Sequence, residues 1–270
     1  MARAHRTYWR VRQKYRRAGY LGSVLGAFWS FGNPLLQLLV YSVVFSYFVT
    51  DRADVRPYAL FLCCGLLPWT WFSSSLNEST NSLIAGGNLI KKVLFPAEIL
   101  PIVSVLTNMV QFLLALPILA GFLIYYANVG SVGPDGTMGE PRVALHAAEL
   151  VWLPVVVLVQ LLLTTGLALL LSALAAHFRD IRDILANVLT FWFFATPIIY
   201  PWFSVSNLKF WLDLNPFTHL AVSYQEILFH PENAFGHRGW LLVLAAVSVG
   251  LFVTGYWVFD RLRDSFAEVV

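Results

Sequence analysis

The chain has 270 residues, of which 58% are hydrophobic and only 12% charged, with a formal charge of +3. Soluble globular chains carry about 25% charged and roughly 45–50% apolar residues, so lipid must solvate much of this chain, which excludes an ordinary soluble enzyme. Aromatics make up 16%, with ten tryptophans, residues that suit the boundary between water and lipid.

The chain opens on charge. Seven of the eighteen Lys and Arg lie in the first seventeen residues. Among them Tyr8, Val11 and Tyr15 fall at i, i+3 and i+7, with Arg12 between. This spacing predicts a basic amphipathic helix over 5–17, lying in the membrane interface. The alternative is a basic tail that only fixes topology. No cleavable signal peptide is expected, because the basic start is long and the first apolar run continues for a full bilayer span.

A membrane-crossing helix needs about 20 mostly apolar residues. The first such run is 28–49, with Tyr41, Phe45, Tyr47 and Phe48 along it. The second is 58–84, apolar in its first half and polar from Ser73 to Asn81. Cys63 and Cys64, adjacent in its apolar half, read as small buried hydrophobes. The short segment 88–96 follows, where Asn88 caps a helical turn or two and Pro96 ends it. Its Leu89, Ile90, Val93, Leu94 and Phe95, beside Lys91 and Lys92, are too apolar for a linker. They suit docking into another protein's groove, the alternative being a helix lying flat under the bilayer. Further runs are 99–127, 147–176, 184–203 and 240–259. The fold class is therefore all-α and polytopic, one transmembrane domain over 1–270 with six spans.

Orientation follows from the positive-inside rule. With six spans, 13 Lys and Arg lie on the side of the termini and 5 on the other, so both termini are expected in the cytoplasm. The segment 204–236 then faces outward. Its Trp211, Leu212, Leu214, Phe217, Leu220, Tyr224, Ile227 and Leu228 form roughly one helical stripe, read as one or two short amphipathic helices lying at the outer face.

Catalytic chemistry is not legible. There is no phosphate-binding Gly-rich loop, no His-Glu-x-x-His and no paired Cys-x-x-Cys. His177 with Asp180 or Asp183 forms a nominal general-base pair, but the segment reads better as a short partner-facing turn. His219, His230 and His237 lack a metal spacing. No catalytic residue, no metal site, no cofactor held by this chain and no nucleic-acid partner are expected. The aromatics point elsewhere. Trp69, Trp71 and Phe72 cluster in the second span, and Phe191, Trp192, Phe193, Phe194 and Tyr200 in the fifth. Rings facing lipid or packing in the core account for some. Sugars also stack their apolar C–H faces on aromatic rings, and such a lining lets a polymer slide.

The stretch Leu66-Leu67-Pro68-Trp69-Thr70-Trp71-Phe72-Ser73, followed by Asn88-Leu89-Ile90-Lys91-Lys92-Val93-Leu94-Phe95-Pro96, resembles the ABC-2 type permeases of polysaccharide and O-antigen export. So do Asn33-Pro34-Leu35, His177-Phe178-Arg179-Asp180, Thr196-Pro197-Ile198-Ile199-Tyr200-Pro201 and Leu214-Asn215-Pro216, in the expected order along nearly the whole chain. The resemblance implies a homodimer in the bacterial inner membrane, working with two copies of a cytoplasmic ATP-binding subunit that holds the ATP and Mg. It implies that 88–96 is the coupling helix (Asn88, Leu89, Lys91, Lys92, Leu94 and Phe95), 5–17 the interfacial helix and 204–236 the gate helices. Spans one, two and five would line a conduit for a lipid-linked polysaccharide, placing Tyr41, Trp69, Trp71, Phe72, Trp192, Phe193 and Tyr200 there. Exporters of teichoic acid, capsule or small amphiphiles are the neighbouring possibilities.

Overall fold

A computed structural model describes residues 36, 39–40, 58–87, 96–129, 147–178, 180–204, 206–229 and 235–266. Among the described residues the regular structure is helical throughout. The interfacial segment 5–17 with Tyr8, Arg12 and Tyr15 lies outside the described residues, as do Tyr41 and 88–95 with Asn88, Leu89, Lys91, Lys92, Leu94 and Phe95. Of the first expected span, only Leu36, Leu39 and Val40 are described; they are helical and exposed.

Helix α1 (Tyr58–Ala85) is the axis of the bundle. Of its most apolar eighteen residues 83% are buried within the chain, against 28% for α2 (Ile99–Val129) and 22% for α8 (Arg238–Leu262). A helix apolar on every side must be enclosed by protein or lipid, and here protein encloses α1 while α2 and α8 keep broad outward faces. Trp71 fixes the α1–α2 contact, stacking on Phe112 at 5.2 Å and donating from Nε1 to the Val105 carbonyl at 3.2 Å. Pro68 interrupts the α1 hydrogen-bond ladder, a break membrane helices tolerate when neighbours supply polar partners. Separately, Gln160 of a neighbouring helix donates from Nε2 to the carbonyl of Pro68 itself at 2.9 Å and ties this stretch of α1 to it.

Helix α4 (Leu153–His177) packs on α1 on one side and on α8 on the other. The α4–α8 crossing is a glycine contact. A Cβ added at Gly255 would lie 2.2 Å from the Gly166 carbonyl oxygen, and one at Gly166 only 2.6 Å from the Phe252 nitrogen. Without a hydrophobic drive between helices in lipid, such close backbone approach is how they gain contact.

Four described helices, α1, α2, α4 and α8, are long and apolar enough to cross a bilayer, and they correspond to expected spans two, three, four and six. Span four starts differently. A single turn, α3 (Ala147–Leu150), precedes α4, whose first turn accommodates Pro154. Span five departs more. The expected continuous helix over 184–203 is α5 (Asp180–Phe194), only 15 residues, or about 23 Å at 1.5 Å per residue. Pro197 lacks the N–H a helix needs and biases Thr196 away from helical geometry. The chain therefore turns over 195–201 and continues as short 3₁₀ turns (Trp202–Ser204 and Ser206–Leu208) into α6 (Lys209–Leu214) and α7 (Pro216–Leu228).

The two short helices expected in 204–236 are thus present, but α7 does not lie on a surface. Phe217, Leu220, Ala221 and Tyr224 are fully buried in the main core. Polar residues are buried with them: Gln225 donates from Nε2 to the Pro197 carbonyl at 3.0 Å, and Ser223 to the His219 carbonyl at 2.6 Å.

An aromatic groove between α5 and the short helices

Helix α5 has two buried residues, Leu185 and Leu189. Ile184, Val188, Phe191 and Phe194 recur at helical spacing on another face and are all exposed, Phe191 to 77%. Opposite Val188, Phe191 and Phe194 stand Leu208, Trp211 and Leu214, also exposed. Between these walls lies a cavity of about 460 Å³, with Tyr200 and Pro216 completing its lining.

Trp192 forms the back of the groove. One side of its ring faces the cavity. The other packs edge-on against Trp69 at 6.3 Å and Phe72 at 5.3 Å. Behind it Phe217 wedges between Trp69 (4.9 Å) and Phe72 (4.8 Å). Edge-to-face rings at these separations add attraction beyond their area burial and lock ring orientation. The Trp192 indole N–H donates to Asn215 Oδ1 at 2.7 Å.

Of the residues expected to line a conduit, the structure places Trp192 and Tyr200 on the groove. Trp69, Phe72 and Phe193 stand behind it, Phe193 touching Trp69 at 5.7 Å. Trp69, Trp71 and Phe72 are all buried in the chain's own core, and Trp71 faces α2, away from the groove. Trp211, Leu214 and Asn215 join this lining without having stood among the residues expected of a conduit. The available signal was Asn215-Pro216, since Asn followed by Pro marks a helix start.

The polar half of α1 divides by face. Ser75, Ser79 and Thr80 are buried; Ser75 and Thr80 donate to carbonyls of their own helix, and Ser79 to the Pro101 carbonyl. Glu78 and Asn81 point outward. Glu78 accepts from Asn108 Nδ2 at 2.7 Å, and Asn81 Oδ1 accepts from Arg182 at 3.2 Å. His177 contacts the Ala173 carbonyl and Ser265 through its two ring nitrogens rather than either nearby aspartate.

At the Tyr58 end of the bundle a polar cluster ties α7 to α8. Glu226 accepts from His237 Nδ1 at 2.9 Å and from the Gly236 and His237 backbone N–H groups. His219 stacks on Trp240 at 4.5 Å, and its Nε2–H donates to the Asp213 carbonyl. Burial pushes the His219 imidazole below its usual pKa; the Asp213 carbonyl opposes this and the nearby His237 adds to it. Arg238 pairs with Glu149 at 3.1 Å over the Trp152 ring. Among the described residues no group of three or more His, Cys, Asp or Glu side chains is placed to hold a metal ion.

The model of one protein family, ABC-2 type transporter, matches residues 6–229. The O-antigen export system permease protein RfbA of Myxococcus xanthus is 36% identical over 261 residues, covering 96% of this chain and 93% of that protein. An RfbA permease of Klebsiella pneumoniae is 28% identical over 264 residues with the same coverage of 96% and 93%.

Proposed function

The chain belongs to the ABC-2 type transporter family, and from that footing we propose that it is the membrane subunit of an exporter carrying a lipid-linked polysaccharide across the bacterial cytoplasmic membrane. ATP is hydrolysed on a separate cytoplasmic subunit, two copies of which serve a homodimer of this chain. Both termini face the cytoplasm, and the end of the bundle bearing Tyr58, α6 and α7 faces outward. The segment 88–96 enters the ATP-binding subunit, with Lys91 and Phe95 making contact.

The observation that carries the reading is the groove walled by Phe191, Trp192, Phe194, Tyr200 and Trp211. Rings bind sugar C–H faces and lipid chains alike, with little directional demand, so a lining of them passes a polymer without trapping it. The amide of Asn215, the one amide side chain among the described residues of the lining, is already hydrogen-bonded within the chain. The groove therefore offers stacking surface in preference to specific hydrogen bonds.

The test is the full chain with its ATP-binding partner in proteoliposomes. Lipid-linked glycan is expected to stimulate ATP hydrolysis and to appear on the far side of the membrane. Trp192→Ala is expected to lower that transport. Stimulation by small amphiphiles alone, with none by glycan–lipid, rejects the polysaccharide reading in favour of a small-molecule exporter.

A further inference from the structure

The two walls of the groove belong to different elements. One is the end of α5, and the other is the 3₁₀ turn and α6 that lead into α7. Asn215 stands where they meet. Its Oδ1 accepts from the Trp192 indole at 2.7 Å and from the Phe217 backbone N–H at 3.0 Å. Its Nδ2 donates to Thr196 Oγ1 at 3.0 Å and to the Ala195 carbonyl at 3.3 Å. Two donors and two lone pairs exhaust what an asparagine amide offers, and the two N–H groups facing Oδ1 fix which way the amide points.

Only one of these bonds is needed to start α7. Capping uses the side-chain oxygen on a backbone N–H of the first turn, here that of Phe217. The other three run to the α5 side, to Trp192, Thr196 and Ala195, and two of them close a ring with the Thr196 hydroxyl: Trp192 Nε1–H to Asn215, Asn215 to Thr196, and Thr196 Oγ1–H back to the Trp192 carbonyl at 2.8 Å. A helix cap has no use for such a ring. It does fix the Trp192 ring, the back of the groove, to the residue that caps α7.

We propose that Asn215 is a positioning residue that holds the two groove walls as one body, so that any displacement of α7 carries Trp192 with it. The importance of this link for transport rests on the reading of the groove as the substrate path. The link itself does not.

The experiment separates the cap from the link. Asn215→Ser keeps a good cap residue but is too short to hold Trp192 and Thr196. Trp192→Phe removes the indole N–H while leaving Asn215 and the cap in place. The full chain carries spin labels at Val188→Cys and Leu208→Cys, one on each wall; the native Cys63 and Cys64 are buried. With Asn215 intact the distance within one protomer, read in labelled chains diluted with unlabelled copies, is expected to be a single narrow peak, and in both variants that peak is lost to a broad distribution. Export is expected to fall by about fivefold or more, the lower end of ordinary coupling between sites, with thermal stability close to that of the parent. A peak in Asn215→Ser as narrow as the parent's overturns the proposal and leaves Asn215 a cap alone. If the variants broaden the peak while even the parent moves no glycan, the link stands and the polysaccharide reading fails.

Discussion

The α4–α8 crossing makes a sharp demand on Gly255. Replacing it with alanine places a carbon 2.2 Å from the Gly166 carbonyl oxygen, about 1 Å inside ordinary contact for a carbon and an oxygen. The blocking atom is backbone, so no side chain swings aside and the helices must part. Overpacking of this kind costs about 1–3 kcal/mol. Alanine also recovers roughly 1 kcal/mol of helix propensity over glycine, which blurs a single measurement. Gly250 on the same helix has open space at its Cβ position, so Gly250→Ala gains the propensity with no clash. The difference between the two variants therefore isolates the clash, with Gly255→Ala the less stable by about 1–3 kcal/mol. Reversible unfolding of the two proteins in the same detergent reads that difference directly. Equal stability would mean that α4 and α8 do not cross at these glycines.

Phe217→Ala empties a fully buried site between Trp69 and Phe72 and is expected to cost about 3–5 kcal/mol; near-parental stability in the same assay would contradict the wedge. His219 binds protons less readily folded than unfolded, so its contribution to stability is present above its ordinary pKa and lost as pH falls below it. Melting temperature is thus expected to drop on acidification, more steeply in the parent than in His219→Gln; parallel pH profiles would refute a part for His219 in the slope. Lys91→Glu and Phe95→Ala are expected to leave membrane insertion intact while uncoupling ATP hydrolysis from export, and normal export by both variants refutes the docking role of 88–96.

The long helices were legible because their signal is length and composition together. The runs 58–84 and 99–127 differ from α1 and α2 by one or two residues at their ends, since polar or glycine-rich segments flank them. The fifth span was not legible by the same signal. Apolar residues continue past Phe194 through Ile198, Ile199 and Phe203, so hydropathy sees one run where Pro197 breaks the helix. Burial of α7 was hidden for a related reason. An amphipathic stripe says which face is apolar, not whether the polar face meets water, and here Gln225 and Ser223 find partners inside.

The aromatics show where residue type ends and geometry begins. Trp69, Trp71 and Phe72 are near neighbours in sequence and were expected to share one lining. On a helix of 3.6 residues per turn, Trp69 and Phe72 lie about 60° apart while Trp71 is about 160° from Trp69. The structure follows that angle: Trp69 and Phe72 back the groove through Trp192, and Trp71 turns to Phe112. The rings that reach the cavity come instead from α5, from Tyr200 in the turn after it and from α6, where lipid-length helices give way to short ones. The apolar faces that make this groove are thus a consequence of Pro197 stopping α5. Had the helix run on to Phe203, Trp211 and Leu214 would have no wall to face, and Asn215 would have no Trp192 within reach.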